Sequence, residues 1–298
     1  MTITLGVHRS NPSLYYLSRL DYLEEELAKV GESGRFHHYS DGTRTGALLA
    51  DGTIDLGGTG STPPITAQAA GYDLVYTAVS APRPDHGALL VRADGPVRTV
   101  TDLKGATVVL GVGSWQTHLL AKALHRAGLS YRDDLTAERP VGTEAERLRD
   151  GEIAGWVAQG AELVRALREG QVRVLIRTSE VITDRSVFFA RRDFATERPE
   201  VVGAVTAALH RADRWVAEHL DEAAALAAAD RGGEIADHRE ALSRLPWRLE
   251  AVGAAFIAEQ QEAADIFHAV GFIDRPVRQA DAHLPELAAA VAAALEGN

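Results

Sequence analysis

The sequence contains no cysteine. Disulfides, thiolate metal sites and cysteine nucleophiles within these residues are excluded, and no lipid-modified anchoring cysteine is expected. No run of about 18 apolar residues occurs, so no segment reads as a membrane span. Positive charge is also short: 31 Lys and Arg stand against 42 Asp and Glu, a net charge of −11. That balance argues against nucleic acid or an anionic membrane surface as a partner. It leaves room for a small anion, because a local helix terminus can outweigh a diffuse negative surface. No basic, apolar and cleavage regions of an export signal precede the first strand, Thr2 to Val7. As it stands the chain is expected in the cytoplasm; a trimmed mature form would be periplasmic or extracellular. Solenoid repeats and low-complexity linkers are missing too.

What is present is a chain of 298 residues, long for one core and suited to two lobes. Strand and helix patterns alternate, which predicts α/β lobes with mixed, mainly parallel sheets flanked by helices. The spacing predicts a helix over 14–30, strands over 35–39, 54–56 and 74–79, and almost continuous helix from Pro199 onward, including 249–270. The proline- and glycine-rich stretch 81–87 and the segment 180–186 read as crossings between lobes.

Two stretches share one device. In Asp55 to Gly71 a short strand meets Gly57, Gly58 and Gly60, which are expected to bend the backbone with positive φ. Ser61 or Thr62 is the expected N-cap, with Pro63 at the first helical position and Gly71 as the stop. In Thr107 to Gly128 a strand leads through Gly113 and Ser114 into a second helix. A helix start with free N–H groups and hydroxyls suits an anion. Either could equally be a plain cap, but the repeat points to a cleft between lobes.

The run DLGGTGSTPPITAQAAG over 55–71 resembles the hallmark of substrate-binding proteins of sulfonate, taurine and nitrate ABC importers. So do VTDLKG over 100–105, Gly113-Ser114, GEIAGW over 151–156, FFARRDFA over 188–195 and QQEAAD over 260–265. The resemblance covers nearly the whole chain. It implies the type II periplasmic-binding-protein fold, with lobe 1 over 1–83 and 186–298, lobe 2 over 84–185, and a small organic anion between them. An ABC permease is the implied partner; no cofactor is expected.

Site residues carried over from the resemblance start with Thr59, Gly60, Ser61 and Thr62 at the first helix start. Ser114, Trp115, Gln116 and His118 belong to the second. Asn11 and Ser13 follow the first strand, and Tyr39, Ser40 and Asp41 follow the second. Trp156 and Gln159 end a lobe 2 strand; Asp184 and Arg185 sit by the second crossing, where an internal ion pair is the simpler expectation. Hydroxyls and backbone N–H groups would supply donors to a sulfonate, and a tryptophan would pack its tail.

A second reading is a cytoplasmic lyase or hydrolase on the same fold, with His8 as acid or base and Arg9 or Arg185 as anion clamp. Two enzyme groups with this fold are known, a sulfinate desulfinase and the thiamine pyrimidine synthases. The first depends on a cysteine and on an arginine before the glycine turn, and the second on an iron site and a cysteine-rich tail. None of these is present here. No spacing reads as a metal site; the neighbours His37 and His38 would point to opposite faces of a strand.

Overall fold

The computed structural model describes residues 2–296, so Met1, Gly297 and Asn298 lie outside it. In chain order the strands are β1 (Thr2–His8), β2 (Ser33–Tyr39), β3 (Leu56–Thr59), β4 (Leu74–Ser80), β5 (Gly87–Arg92), β6 (Thr107–Val109), β7 (Thr136–Glu138), β8 (Gly155–Gln159), β9 (Val172–Arg177), β10 (Val187–Arg191) and β11 (Leu249–Glu250). They form two sheets, ordered β11-β4-β10-β3-β1-β2 and β7-β6-β8-β5-β9. The first sheet draws on both ends of the chain and the second on its middle. Residues 81–86 and 178–186 connect them, and Arg83 N donates to Asp184 O at 2.9 Å to tie the two connections together.

The sheets are mixed, but less parallel than expected. β1 pairs in parallel with β2 and β3, as β6 does with β7 and β8. β5 and β10, which arrive straight from the other sheet, run antiparallel to both of their neighbours. A strand that enters without a crossover helix has no geometric reason to be parallel.

Local chemistry explains other departures. The helix expected over 14–30 is two, Pro12–Leu17 and Tyr22–Lys29. The break comes after Leu17: the Tyr15 carbonyl accepts from Ser18 Oγ at 2.9 Å and Arg19 Nη1 at 2.8 Å, while Arg19 N turns to the Tyr16 carbonyl at 2.9 Å. Leu249 and Glu250 are not helical; they add β11 antiparallel to the outer edge of β4, and the helix begins at Ala254. Gly57, Gly58 and Gly60 do not take positive φ, whereas Gly71 (φ 92) and Gly113 (φ 87) do. The β3 glycines serve close approach: a Cβ on Gly58 would lie 2.6 Å from the Phe188 ring.

Buried aliphatics of β1, Ile3, Leu5 and Val7, pack with Val201, Val205 and Leu209 of the helix Pro199–Glu218 in one core. A second core joins Leu119, Leu120 and Leu124 of the helix Trp115–Arg126 to Ala263, Ala264 and Phe267 of the helix Ala254–Ala269. Lys122 Nζ reinforces that contact, 2.6 Å from Glu262 Oε2. Farther along, the helix Ile235–Ser243 rests on the helix Gly160–Glu169, with Arg168 gripping Asp237 through both terminal guanidinium nitrogens. The late helices therefore brace elements of both sheets. Among the described residues no helix is long and apolar enough to cross a membrane.

Candidate functional site

A cavity of about 420 Å³ opens where the ends of β1, β2 and β3 face the helix start at Ser114. From the first sheet His8, Asn11, Ser40, Asp41, Thr59 and Gly60 line it. Ser114, Trp115, Gln116, Trp156 and Gln159 line it from the second. This is a size suited to a small-molecule ligand.

Ser114 has extended backbone geometry and caps its 12-residue helix, its Oγ accepting from Gln116 N at 3.2 Å. The helix points its positive end at the cavity. Gln116 Oε1 accepts from Gly111 N at 2.6 Å, which holds the glycine loop. Trp115 is wedged: a Cβ on Gly60 would stand 2.8 Å from its Cβ, and one on Gly87 2.4 Å from its ring. Its indole N–H donates to Gln159 Oε1 at 2.9 Å. Asn11 caps the helix Pro12–Leu17 through Oδ1, while its buried Nδ2 has no partner. Such a donor is costly to leave unsatisfied and is free for an acceptor.

Three other residues close the picture. Asp41 accepts from Thr43 N and Thr43 Oγ1 at 3.0 and 2.7 Å, and the Thr43 contacts hold its carboxyl below the usual range. Its charge is spent on the turn Gly42–Arg44. His8 stacks on Tyr39 at 5.9 Å, and burial lowers its pKa. Arg139 also lines the cavity and makes no ion pair among the described residues.

Several expected residues are elsewhere. Ser61 does not cap its helix: it adopts helical geometry and its Oγ lies 3.0 Å from His118 Nδ1. Thr62 Oγ1 donates to the Ser114 carbonyl at 2.7 Å. Ser61, Thr62 and His118 thus form a seam between the two helix starts and do not line the cavity. Burial drives the His118 pKa down to about 3, so the ring is neutral. Tyr39 is turned away, its hydroxyl 2.7 Å from Thr45 Oγ1. Ser13 is buried beside Asp213. Arg185 is used by Glu250, Glu259 and the Ser80 carbonyl, as the simpler expectation had it. Arg9 lines a neighbouring cavity without His8, so the two do not converge on one reacting group.

Asp184 lies beneath the cavity, not in its wall. Its Oδ2 is 2.7 Å from Arg83 Nη2 and 2.7 Å from His86 Nδ1. Burial would push this carboxyl up; Arg83 and His86 outweigh it and hold the group below the usual carboxylate range. Arg83 and Ser186 are lining residues that the sequence reading did not select, and His86, which the sequence places at a crossing near the expected cleft, lines the cavity with them. Their position in the two crossings was the available signal. Among the described residues no group of three or more histidines and carboxylates is placed to hold a metal.

The NMT1/THI5-like family model matches residues 19–223. The chain belongs to that family. It is 34% identical to an aliphatic sulfonates-binding protein of Escherichia coli (strain K12) over 73% of this chain and 68% of that one. The crystal structure of the periplasmic aliphatic sulphonate-binding protein SsuA from Escherichia coli superposes with a TM-score of 0.83 at 28% identity, covering 95% of this chain and 92% of the other. The alkanesulfonate-binding protein SsuA from Xanthomonas axonopodis pv. citri, bound to MOPS, follows at 0.81 and 27%, covering 94% and 97%. Desulfurization enzyme DSZB, at 15% identity, a TM-score of 0.67 and 99% coverage of both chains, shares the fold alone.

Proposed function

We propose that this chain is the substrate-binding component of an ABC importer and that its cavity takes an aliphatic sulfonate. The observation that carries this is the Ser114 helix start facing a cavity of ligand size, in a chain 34% identical to a sulfonates-binding protein. Ser114, the unpartnered Asn11 amide and Arg139 are the donors for the head group, and Trp115 and Trp156 flank the tail. The lobe boundaries follow the two crossings, 1–83 with 186–298 and 84–185. The working place is the outer side of the cytoplasmic membrane, as for the periplasmic relative from Escherichia coli, with a permease as docking partner. An enzyme role for His8 has less support: the ring is packed on Tyr39, and Arg9 faces another cavity.

The test is isothermal titration and thermal shift with methane-, ethane-, butane- and octanesulfonate against matched carboxylates. Saturating ligand at about 100 times Kd should add about 2.7 kcal/mol of stability. No shift with any sulfonate would refute the reading.

A further inference from the structure

A second cavity of about 430 Å³ adjoins the first, and Ser10, His86, Gln159 and Glu162 border both. It lies between the helix Gly160–Glu169 on one side and the helices Leu220–Arg231 and Ile235–Ser243 on the other. Its walls carry an excess of uncommitted positive charge. Arg244 pairs with Glu240 and Asp237 with Arg168. Arg9, Arg165 and Arg231 make no ion pair among the described residues, and the unpaired carboxylates facing them are Asp85 and Glu162. Burial, helped by Glu144, raises the Glu162 pKa, which weakens one of the two opposing charges.

Arg231 is the pointed case. Its guanidinium lies 4.1 Å from the Tyr15 ring centroid, and Nη2 donates to the Arg9 carbonyl at 2.8 Å. Asp230, its neighbour in the chain, is already held by Arg19 and by the Tyr15 hydroxyl. The Arg9 charge opposes that of Arg231, and a bound anion would offset that repulsion.

Resting on the sulfonate reading above, we propose that the second cavity receives a second acidic group of the same ligand. The ligand class is then an aliphatic sulfonate with a carboxylate or second sulfonate at its far end. The sulfonate sits by Ser114, the chain passes His86 and Gln159, and the far acid meets Arg9 and Arg231.

The experiment titrates the full chain with three series of matched length, from two to eight carbons: n-alkanesulfonates, ω-carboxyalkanesulfonates and α,ω-alkanedisulfonates. At the spanning length the far acid should tighten binding by about tenfold over the methyl-ended chain, the gain of a charge-assisted contact. Arg231→Gln should cancel that gain and leave the methyl-ended Kd in place, and Arg231→Lys should keep part of it. Should Arg231→Gln fail to fold, Arg9→Gln, which retains the carbonyl that Arg231 uses, makes the same comparison. Equal Kd values for dianionic and methyl-ended chains at every length would overturn the proposal while leaving the sulfonate reading standing. An equal loss for both series in Arg231→Gln would overturn it as well. If no member of any series binds, the sulfonate reading falls, and this proposal with it.

Discussion

The Ser61 hydroxyl lies 3.0 Å from His118 Nδ1, so a group suited to gripping an anion instead fastens one helix start to the other. Ser61→Ala should therefore leave sulfonate affinity within about twofold while lowering stability. The buried His118 ring would lose its remaining partner, because its Nε2 already has none. Leaving such a group unpaired costs roughly 1–3 kcal/mol. Ser114→Ala should lower affinity and stability together: it removes a cap worth about 1 kcal/mol and a cavity-lining donor. Thermal melts and titration of both variants separate the roles. Lost binding in Ser61→Ala with an unchanged melting temperature would place Ser61 at the ligand.

Much of this was legible in the sequence because helix starts, crossings and strand periods are local. The Gly113-Ser114 start, the prolines near residue 82 and the strand at β1 all follow from nearest-neighbour chemistry. Partner choice is not local. Whether Ser61 faces a ligand or His118 depends on a residue 57 positions away, and the sequence carries no mark of it. The same holds for β5 and β10: their apolar runs identify strands, but their direction is set by how the chain passes between sheets. Arg83 carried no mark in the sequence, and the pairing of Arg83 and His86 was hidden because their shared partner, Asp184, is in the other crossing.

The Arg83–Asp184 pair predicts a large loss when one partner is removed. The side chains are 5% and 0% exposed, so solvent cannot take over for a missing charge. Asp184→Asn should destabilise by about 3–5 kcal/mol, the cost of a buried charge left alone. Adding Arg83→Met to it should recover much of that loss, which a double-mutant cycle in urea would read. A loss below about 0.5 kcal/mol in the single variant would mean that the crossings are not tied through this pair.

Trp115 sits between two glycines whose lack of a side chain sets its place. At Gly87 a Cβ would meet the Trp115 ring at 2.4 Å and the Ala158 carbonyl at 2.8 Å. The carbonyl belongs to β8 and cannot yield easily. Gly87→Ala should cost about 1–3 kcal/mol as an overpacking change and displace the indole from Gln159. Trp115 fluorescence should report altered surroundings, best read with the other three tryptophans replaced by phenylalanine. A wild-type spectrum and melting temperature in Gly87→Ala would show that the wedge has slack.

Asp213, fully buried beside Ser13, gives the stability a pH dependence. Burial raises its pKa to about 7, against the opposing pull of Ser13 and of the Arg83 charge. An unfolded aspartate titrates near about 3.9, so between roughly pH 4 and 7 the folded chain holds a proton that the unfolded chain releases. The folded state then binds more protons, and stability from this group falls as pH rises across that window. It is fully present below the unfolded pKa, and no further loss occurs once the folded group has ionised. Asp213→Asn cannot titrate, so urea unfolding of both proteins between about pH 5 and 8 isolates the group. The variant should gain on wild type by more than about 1 kcal/mol over that range. Parallel curves would mean that Asp213 is ionised in the folded protein throughout, with Arg83 near enough to hold its charge.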